Sequence, residues 1–196
     1  MSEQARAADR GEEPVRAYVD LASGLLTGPE VVESVRRLGS LRDYVLDSAA
    51  LDTMDGDMEV YRVLAFEPAP EGVPGAVCCA TTVLQPGRVG DEYFFTRGHY
   101  HASEDRPELE VVVRGEGFLV LREADTEAWF ERMQSGSVHH VPPGVAHRVA
   151  NTGEEPLVFL SFWSSETGHD YTSIARDGFG ARVRCVDGRP ALVADP

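Results

Sequence analysis

Histidines and a glutamate with the spacing of a metal site lie near the middle of the sequence. His99 and His101 are two residues apart, so in an extended strand both imidazoles lie on the same face. Glu108 begins the next apolar run, and a turn through Ser103 to Pro107 would return its carboxylate to the two imidazoles. One hairpin can therefore supply three ligands to one ion.

A fourth candidate ligand, His147, belongs to a second motif. The spacing G-x5-P-x-G-x2-H-x3-N is formed by Gly136, Pro142, Gly144, His147 and Asn151. The first segment reads H-x-H-x6-E-x6-G. Together they resemble the two signatures of the cupin superfamily, with a somewhat longer gap before the glutamate of the first. The resemblance implies one small jelly roll in which His99, His101, Glu108 and His147 bind a divalent metal.

This donor set does not select one metal. Neutral imidazoles and one carboxylate suit Zn²⁺, Fe²⁺, Ni²⁺, Mn²⁺ or Co²⁺, and they leave open positions in a five- or six-coordinate geometry. The resemblance favours Fe²⁺ as the single divalent ion. A divalent ion with one carboxylate leaves a local charge of about +1, which attracts anions.

Other metal-binding residue types in the sequence have simpler interpretations. Glu110 would share a strand face with Glu108 and competes with it as a ligand, but the spacing to Gly115 favours Glu108. We interpret His139 and His140 as ordinary strand residues. The three cysteines lack paired metal-ligand spacing, so we expect reduced thiols.

The sequence texture predicts an all-β fold. Short runs rich in Val, Phe, Tyr and Thr, separated by turn residues, predict strands over 58–66, 76–84, 110–121, 128–133, 137–141, 147–151 and 157–163. Nothing suggests a βαβ rhythm, so a parallel sheet is disfavoured. We expect a single cupin jelly-roll barrel with a short mixed N-terminal extension.

Three regions are expected along the chain. Residues 1–16 lack an apolar period and predict a flexible start, and residues 58–196 form the cupin domain. Residues 17–57 form an extension packed on the barrel, in which Pro29 can open one short helix and Ser48 can cap another.

The charge balance restricts the partners. With 33 acidic and 18 basic residues, the net charge is −15, which would repel nucleic acids and anionic membranes. An anionic substrate would need local positive charge or a metal ion to offset that field. The sequence contains no apolar run of membrane-spanning length and no secretion signal at its start, so we expect a cytoplasmic protein.

A narrower resemblance covers nearly the whole chain, from about residue 20 to about 185. Segments 34–38, 81–90, 95–101, 141–147 and 168–171 look like those of the cupin-type glucose-6-phosphate isomerases, with G-H-x-H and G-H-D-Y the most specific. The resemblance implies interconversion of glucose 6-phosphate and fructose 6-phosphate, a place in glycolysis and gluconeogenesis, and a homodimer.

Aldose–ketose isomerisation moves a proton between adjacent carbons through an enediol. It needs a base near C1 and C2 and positive charge beside their oxygens. Glu108 could carry the proton if it loosens from the metal, which makes it the candidate catalytic residue. A metal-assisted hydride shift is an alternative.

The sugar phosphate also needs hydrogen-bond donors. The family resemblance places the phosphate at Thr82, Thr96, the backbone N–H of Gly98 and His169. Tyr171 either contacts the sugar or packs beside His169.

Four further positions are less informative. Arg97 and Arg148 each neighbour a site residue, so a regular strand would point them to the opposite face. The family often has tyrosines where this chain has Glu110 and Trp163.

Other functions use the same four ligands. A cupin dioxygenase would bind dioxygen and need no phosphate pocket. A non-catalytic cupin would bind a sugar phosphate without turnover. Isomerisation of mannose 6-phosphate is an alternative closer to the glucose 6-phosphate reaction, and the shape of the pocket would decide between the two substrates.

Overall fold

Short strands form most of the structure. The computed structural model describes residues 15–195, without the side chains of residues 175–177. The strands of this part are β1 (Tyr18–Val19), β2 (Leu26–Thr27), β3 (Val31–Arg37), β4 (Glu59–Phe66), β5 (Val77–Leu84), β6 (Arg88–Val89), β7 (Glu92–Tyr93), β8 (Tyr100–His101), β9 (Glu108–Arg114), β10 (Glu116–Glu123), β11 (Trp129–Gln134), β12 (Val138–Val141), β13 (Val145–Asn151), β14 (Leu157–Ser164), β15 (His169–Asp170), β16 (Ala181–Val186) and β17 (Arg189–Ala194). The helices are a 3-10 helix over Leu38–Tyr44, α1 (Ser48–Asp52) and α2 (Thr172–Asp177). The predicted all-β class is confirmed.

Glycine explains why one predicted strand is two. The run over 110–121 was predicted as a single strand, whereas β9 and β10 are separated at Gly115, where φ is +86°. A Cβ there would lie 2.7 Å from the carbonyl oxygen of Pro156, so a side chain would be both strained and crowded. The turn folds β10 away from β9 into a second sheet.

Two antiparallel sheets enclose the main core. The larger has the order β12-β9-β14-β5-β4-β3, and the smaller has the order β11-β10-β13. Val112 and Phe159 of the larger sheet belong to the same buried cluster as Leu119, Leu121 and Val149 of the smaller one. Burial of this apolar surface is the dominant stabilising contribution.

The register of the larger sheet leaves space beside this core. Glu110 lies opposite Ser161, Ser161 opposite Ala80, and Ala80 opposite Ala65. Directly opposed residues share a face of an antiparallel sheet, so three small side chains follow the glutamate across the inner face. They form the floor of a cavity.

The N-terminal region differs in part from expectation. Residues 31–37 form strand β3 on the edge of the larger sheet, so the helix predicted from Pro29 is wrong. Val31, Val32 and Val35 explain the difference, because β-branched residues favour strands. The second predicted helix, α1, is present but begins at Ser48, and its cap is Asp47 rather than Ser48: Asp47 accepts a hydrogen bond from Ala50 N–H at 2.8 Å.

The three-region division of the chain stays a prediction. Residues 1–14 of the expected flexible start lie outside the described residues. In the part of the chain that is described, the longest helices fall well short of the length and apolarity that a membrane crossing requires.

Candidate metal centre and active site

His99 and His147 are joined through their backbones. The N–H of His99 donates to the carbonyl of His147 at 3.2 Å, and the N–H of His147 donates back at 3.1 Å. The segment before β8 therefore runs antiparallel to β13, and its pairing places two candidate ligands directly opposite each other. Their ring centroids are 4.4 Å apart. Two motifs distant in sequence converge in this way.

An extra residue interrupts this pairing just before His99. The N–H of Thr96 donates to the carbonyl of Val149 at 2.8 Å, so two residues lie between the paired positions 96 and 99, while one lies between 149 and 147. Gly98 accommodates the excess with φ at +75°. This is the geometry of a β-bulge, which changes the direction of the neighbouring side chains.

His101 is oriented by a backbone carbonyl. Its Nδ1 lies 2.6 Å from the carbonyl oxygen of Arg106, in the turn that precedes β9. A carbonyl only accepts, so Nδ1 carries the proton and Nε2 presents its lone pair. That Nε2 lies 3.3 Å from Oε2 of Glu108, which the predicted turn returns to the histidines. A hydrogen bond from the second ring nitrogen is usual for a metal-ligating histidine.

The four predicted ligands form one cluster. Donor atoms of His99, His101, Glu108 and His147 all lie within 4.8 Å of one another. Oε2 of Glu108 lies 3.7 Å from Nε2 of His147. Two ligand atoms at right angles on one ion, each bonded at about 2.1 Å, are about 3 Å apart, so modest inward movement would suffice.

An unpaired nitrogen gives this cluster a reason to bind an ion. Nε2 of His99 is buried and has no hydrogen-bond partner among the described residues. Such an atom is costly to leave without a partner. The donor set and this nitrogen both fit a divalent metal, and the residues that could hold it are the four predicted ones.

The histidine pKa values favour ligand chemistry. Burial lowers the pKa of His147 to about 4, and burial with the neighbouring histidines lowers that of His99 well below its usual range. Burial also lowers the pKa of His169. These imidazoles are neutral at pH 7, the form in which histidine binds metals.

The pKa values of the two cavity carboxyls of β9 are shifted in opposite directions. Burial acts to raise the pKa of Glu108, but the neighbouring His101 and His147 outweigh it and lower the pKa. Burial and then the charge of Glu108 raise the pKa of Glu110 well above its usual range. Glu108 is therefore the carboxylate of the cluster, as its spacing predicted, and Glu110 lies outside the cluster.

A cavity of about 270 Å³ opens beside the cluster. Its wall includes the candidate ligands His99, Glu108 and His147. The predicted substrate contacts lie on the same wall: Thr82, Thr96, Gly98, His169 and Tyr171. The rings of His169 and Tyr171 both lie beside that of His99, at 4.7 and 5.3 Å, and they stack on each other at 5.9 Å. Tyr171 lines the cavity and packs on His169, and its contact with the sugar stays a prediction.

The two arginines beside site residues behave differently. Arg148 is buried away from the cavity, with its guanidinium over Phe95 and Phe179, as strand alternation predicted. Arg97 lines the cavity instead, because the bulge at Gly98 breaks the alternation, so the expectation for Arg97 is wrong.

Residues that were given no site role from the sequence also line the cavity. Ser34 and Arg36 come from β3, and Tyr61 comes from β4. Segment 34–38 carries part of the family resemblance, but only the pairing of β3 with β4 brings Ser34 and Arg36 to this face. Glu110 and Trp163, where the family often has tyrosine, line it as well.

His139 and His140 lie apart from the cluster. The ring of His139 contacts Glu131 Oε2 at 2.6 Å and Ser137 Oγ at 2.7 Å, and His140 is exposed. Cys78, Cys79 and Cys185 are free thiols, as expected.

Comparison with known proteins identifies a family model and relatives that carry the same description. Residues 35–194 match the family model described as glucose-6-phosphate isomerase. The chain is 40% identical over 187 residues to the glucose-6-phosphate isomerase of Pyrococcus abyssi, covering 94% of this chain and 97% of that one. It is 37% identical over 178 residues to that of Sinorhizobium medicae, covering 89% and 81%.

Among solved structures, the fold is similar to oxalate decarboxylase from Bacillus subtilis, with a TM-score of 0.45 and 24% identity, covering 56% of this chain and 26% of that one. The family match extends over more than half of the chain, and the relatives share well over 30% of their residues with it. The chain therefore belongs to the cupin-type glucose-6-phosphate isomerase family, as its motifs predicted.

Proposed function

We propose that this chain interconverts glucose 6-phosphate and fructose 6-phosphate at the cavity beside the histidine–glutamate cluster. The observation that carries the proposal is the convergence of His99, His101, Glu108 and His147 in a chain of this family. The cavity wall adds hydroxyl, imidazole and guanidinium groups suited to a sugar phosphate.

The cluster would hold one divalent ion, for which we favour Fe²⁺ over Zn²⁺, Mn²⁺, Ni²⁺ or Co²⁺. When bound, such an ion supplies positive charge that polarises the oxygens on C1 and C2 of the sugar. His101 is held in the required tautomer by the Arg106 carbonyl, and His99 and His147 are kept neutral by burial.

Glu108 acts as the base. Its lowered pKa keeps it as a carboxylate, and it is 6% exposed, so bulk water has little access to the proton it carries. It removes the proton from C2 of glucose 6-phosphate, and the electron pair of that C–H bond forms the C1–C2 double bond of an enediol as a proton reaches the C1 oxygen. Glu108 then returns its proton to C1 while the C2 hydroxyl loses one, so the step balances without an external oxidant.

The substrate's phosphate would lie at the wall formed by Thr82, Thr96 and Gly98. The hydroxyl of Thr96 already accepts the Val149 N–H at 3.0 Å, which fixes its oxygen and leaves its hydrogen free to donate. Thr82 is 7% exposed, on the inner face of β5. His169 and Tyr171 close the same wall near the cluster.

Turnover under anaerobic conditions tests the proposal. Metal-loaded protein should form fructose 6-phosphate from glucose 6-phosphate with no oxygen present. Oxygen consumption with another substrate and no isomerisation would favour the dioxygenase, and binding of the sugar phosphate without turnover would favour a non-catalytic module. Mannose 6-phosphate in parallel measures discrimination at C2.

A homodimer is supported by the outer face of the larger sheet. Leu109 is 40% exposed and Val138 is 60% exposed on neighbouring strands β9 and β12. Phe162, opposite Leu109, is partly exposed on the same face. Contiguous apolar surface of this kind marks protein contacts.

Light scattering should therefore give a dimer. Leu109→Glu should shift it toward the monomer, whereas Leu21→Glu, at an isolated site that is 90% exposed, should not. A monomeric parent protein would contradict the dimer. The cytoplasmic location and the place in glycolysis and gluconeogenesis stay predictions.

A further inference from the structure

We propose that Arg36 and Arg97 are the cationic part of the phosphate site, and that Arg36 makes the cavity selective for phosphorylated sugars. The inference rests on the proposed function for its substrate class. It adds charged groups to a wall whose other donors, Thr82, Thr96 and the Gly98 N–H, are neutral.

The register of the larger sheet places Arg36 on the face that lines the cavity. Arg36 lies opposite Tyr61 on β4, and Tyr61 lies opposite Leu84 on β5. In the neighbouring row of the same face, Ser34 lies opposite Val63, and Val63 opposite Thr82. Arg36 is thus two strands and one row from Thr82, and its long side chain starts from the edge strand and lines the same cavity.

Arg36 differs from its neighbours in having no acidic partner. Arg37 donates to the Asp57 carbonyl, Arg42 pairs with Asp52, and Arg62 pairs with Glu59. Among the described residues, the guanidinium of Arg36 has no hydrogen-bond or ion-pair partner, and its electrostatic neighbour is Tyr61, although the chain carries a net charge of −15. A half-buried guanidinium without an acid, at a cavity wall, is available to an anion.

Arg97 is positioned by aromatic stacking. Its Cζ lies 3.6 Å from the ring centroid of Tyr171 and 5.8 Å from that of Tyr44. Its Nε is buried and has no hydrogen-bond partner among the described residues. Stacking holds the guanidinium plane while leaving its edge N–H groups for a ligand, and this edge is the geometry that matches phosphate oxygens.

Charge explains why neutral donors would not suffice. A phosphate dianion entering a protein of net charge −15 meets a repulsive field. Charge-assisted hydrogen bonds from guanidinium to phosphate are about twice as strong as neutral ones. Two guanidiniums on the cavity wall would offset that field where the phosphate lies, leaving the sugar carbons toward Glu108.

The test compares Arg36, which lines the cavity, with its neighbour Arg37, which is exposed and does not line it. Arg36→Gln should raise the KM for glucose 6-phosphate about 10- to 100-fold, the usual effect of losing a charged hydrogen bond, with kcat changed little. Arg36→Met is the second variant in case glutamine disturbs folding. Arg37→Gln is the matched control, since it removes a neighbouring positive charge outside the cavity. Metal content is measured for each protein.

Competition by inorganic phosphate gives a second readout. Its inhibition constant should rise with the KM in Arg36→Gln and stay unchanged in Arg37→Gln. Equal KM and equal inhibition constants in the parent and both Arg36 variants would overturn the inference. So would equal losses in Arg36→Gln and Arg37→Gln, which would indicate a general charge effect.

Binding separates this inference from the proposed function. Calorimetry with glucose 6-phosphate measures affinity without turnover. In one outcome, the parent binds glucose 6-phosphate, Arg36→Gln binds it far more weakly, and neither protein isomerises it. The proposed function is then wrong, while the inference about the phosphate site stands. If isomerisation is normal and Arg36→Gln binds glucose 6-phosphate as tightly as the parent, the role of Arg36 in the phosphate site is wrong and the proposed function stands.

Discussion

The Nδ1 atom of His101 lies 2.6 Å from the carbonyl oxygen of Arg106, and this contact turns the opposite nitrogen toward Glu108. The turn between β8 and β9 thus both returns the glutamate and fixes the tautomer of the histidine. A backbone carbonyl cannot be lost by side-chain substitution, so the orientation depends on the turn itself.

Replacement of His101 should remove the metal. His101→Gln deletes one of four donors, and we expect at least a 10-fold loss of metal affinity without unfolding, because the other three ligands lie on different elements. His140→Gln is the matched control, since His140 is exposed on β12. Metal content after dialysis measures the difference. Equal content in the two variants would show that His101 is not a ligand.

Replacement of Glu108 separates binding from proton transfer. Glu108→Gln keeps the size of the side chain but cannot accept the proton, so kcat should fall about 10²- to 10⁴-fold at matched metal occupancy, while KM changes little. Excess metal in the assay maintains occupancy. Normal kcat with metal bound would contradict the assignment of the base.

The bulge at Gly98 should be required for the site. Gly98→Ala places a Cβ 2.9 Å from the His147 carbonyl oxygen at φ +75°, so it should cost about 1–2 kcal/mol in backbone strain alone and also displace His99. Gly72→Ala has a similar φ of +84° but open space around its Cβ. Chemical unfolding and metal titration compare the two. Metal affinity should fall only for Gly98→Ala, and an equal effect would refute the role of the bulge.

The metal-free protein should lose stability in mild acid. The pKa of His147 is about 4 when folded and 6.5 ordinarily, so below pH 6.5 the unfolded chain binds a proton that the folded chain does not. Its stabilising contribution is complete above pH 6.5 and is lost as the pH falls toward 4, by about 1 kcal/mol at pH 5.5.

Urea unfolding of chelated protein at pH 7.5 and 5.5 measures this loss. His147→Asn should reduce the pH dependence of the free energy of unfolding. Equal pH dependence in the parent and His147→Asn would contradict the assignment to His147.

Spacing made the cluster predictable, because a separation of two places His99 and His101 on one strand face whatever the rest of the fold does. Strand boundaries such as Glu59–Phe66 also followed from local composition. Arg97 was misjudged because the bulge at Gly98 is visible only in its pairing with β13. Arg36 lies in segment 34–38, which carries part of the family resemblance, but its place at the cavity was missed because it depends on the pairing between β3 and β4.

The most direct test of the account is a coupled assay for fructose 6-phosphate before chelation, after chelation, and after separate readdition of Fe²⁺, Mn²⁺, Ni²⁺ and Zn²⁺. The four-residue cluster predicts that chelation abolishes activity and that at least one ion restores it. The restored activity should rise with the amount of bound ion and be complete at about one ion per chain. Full activity in protein shown to contain no metal would contradict it.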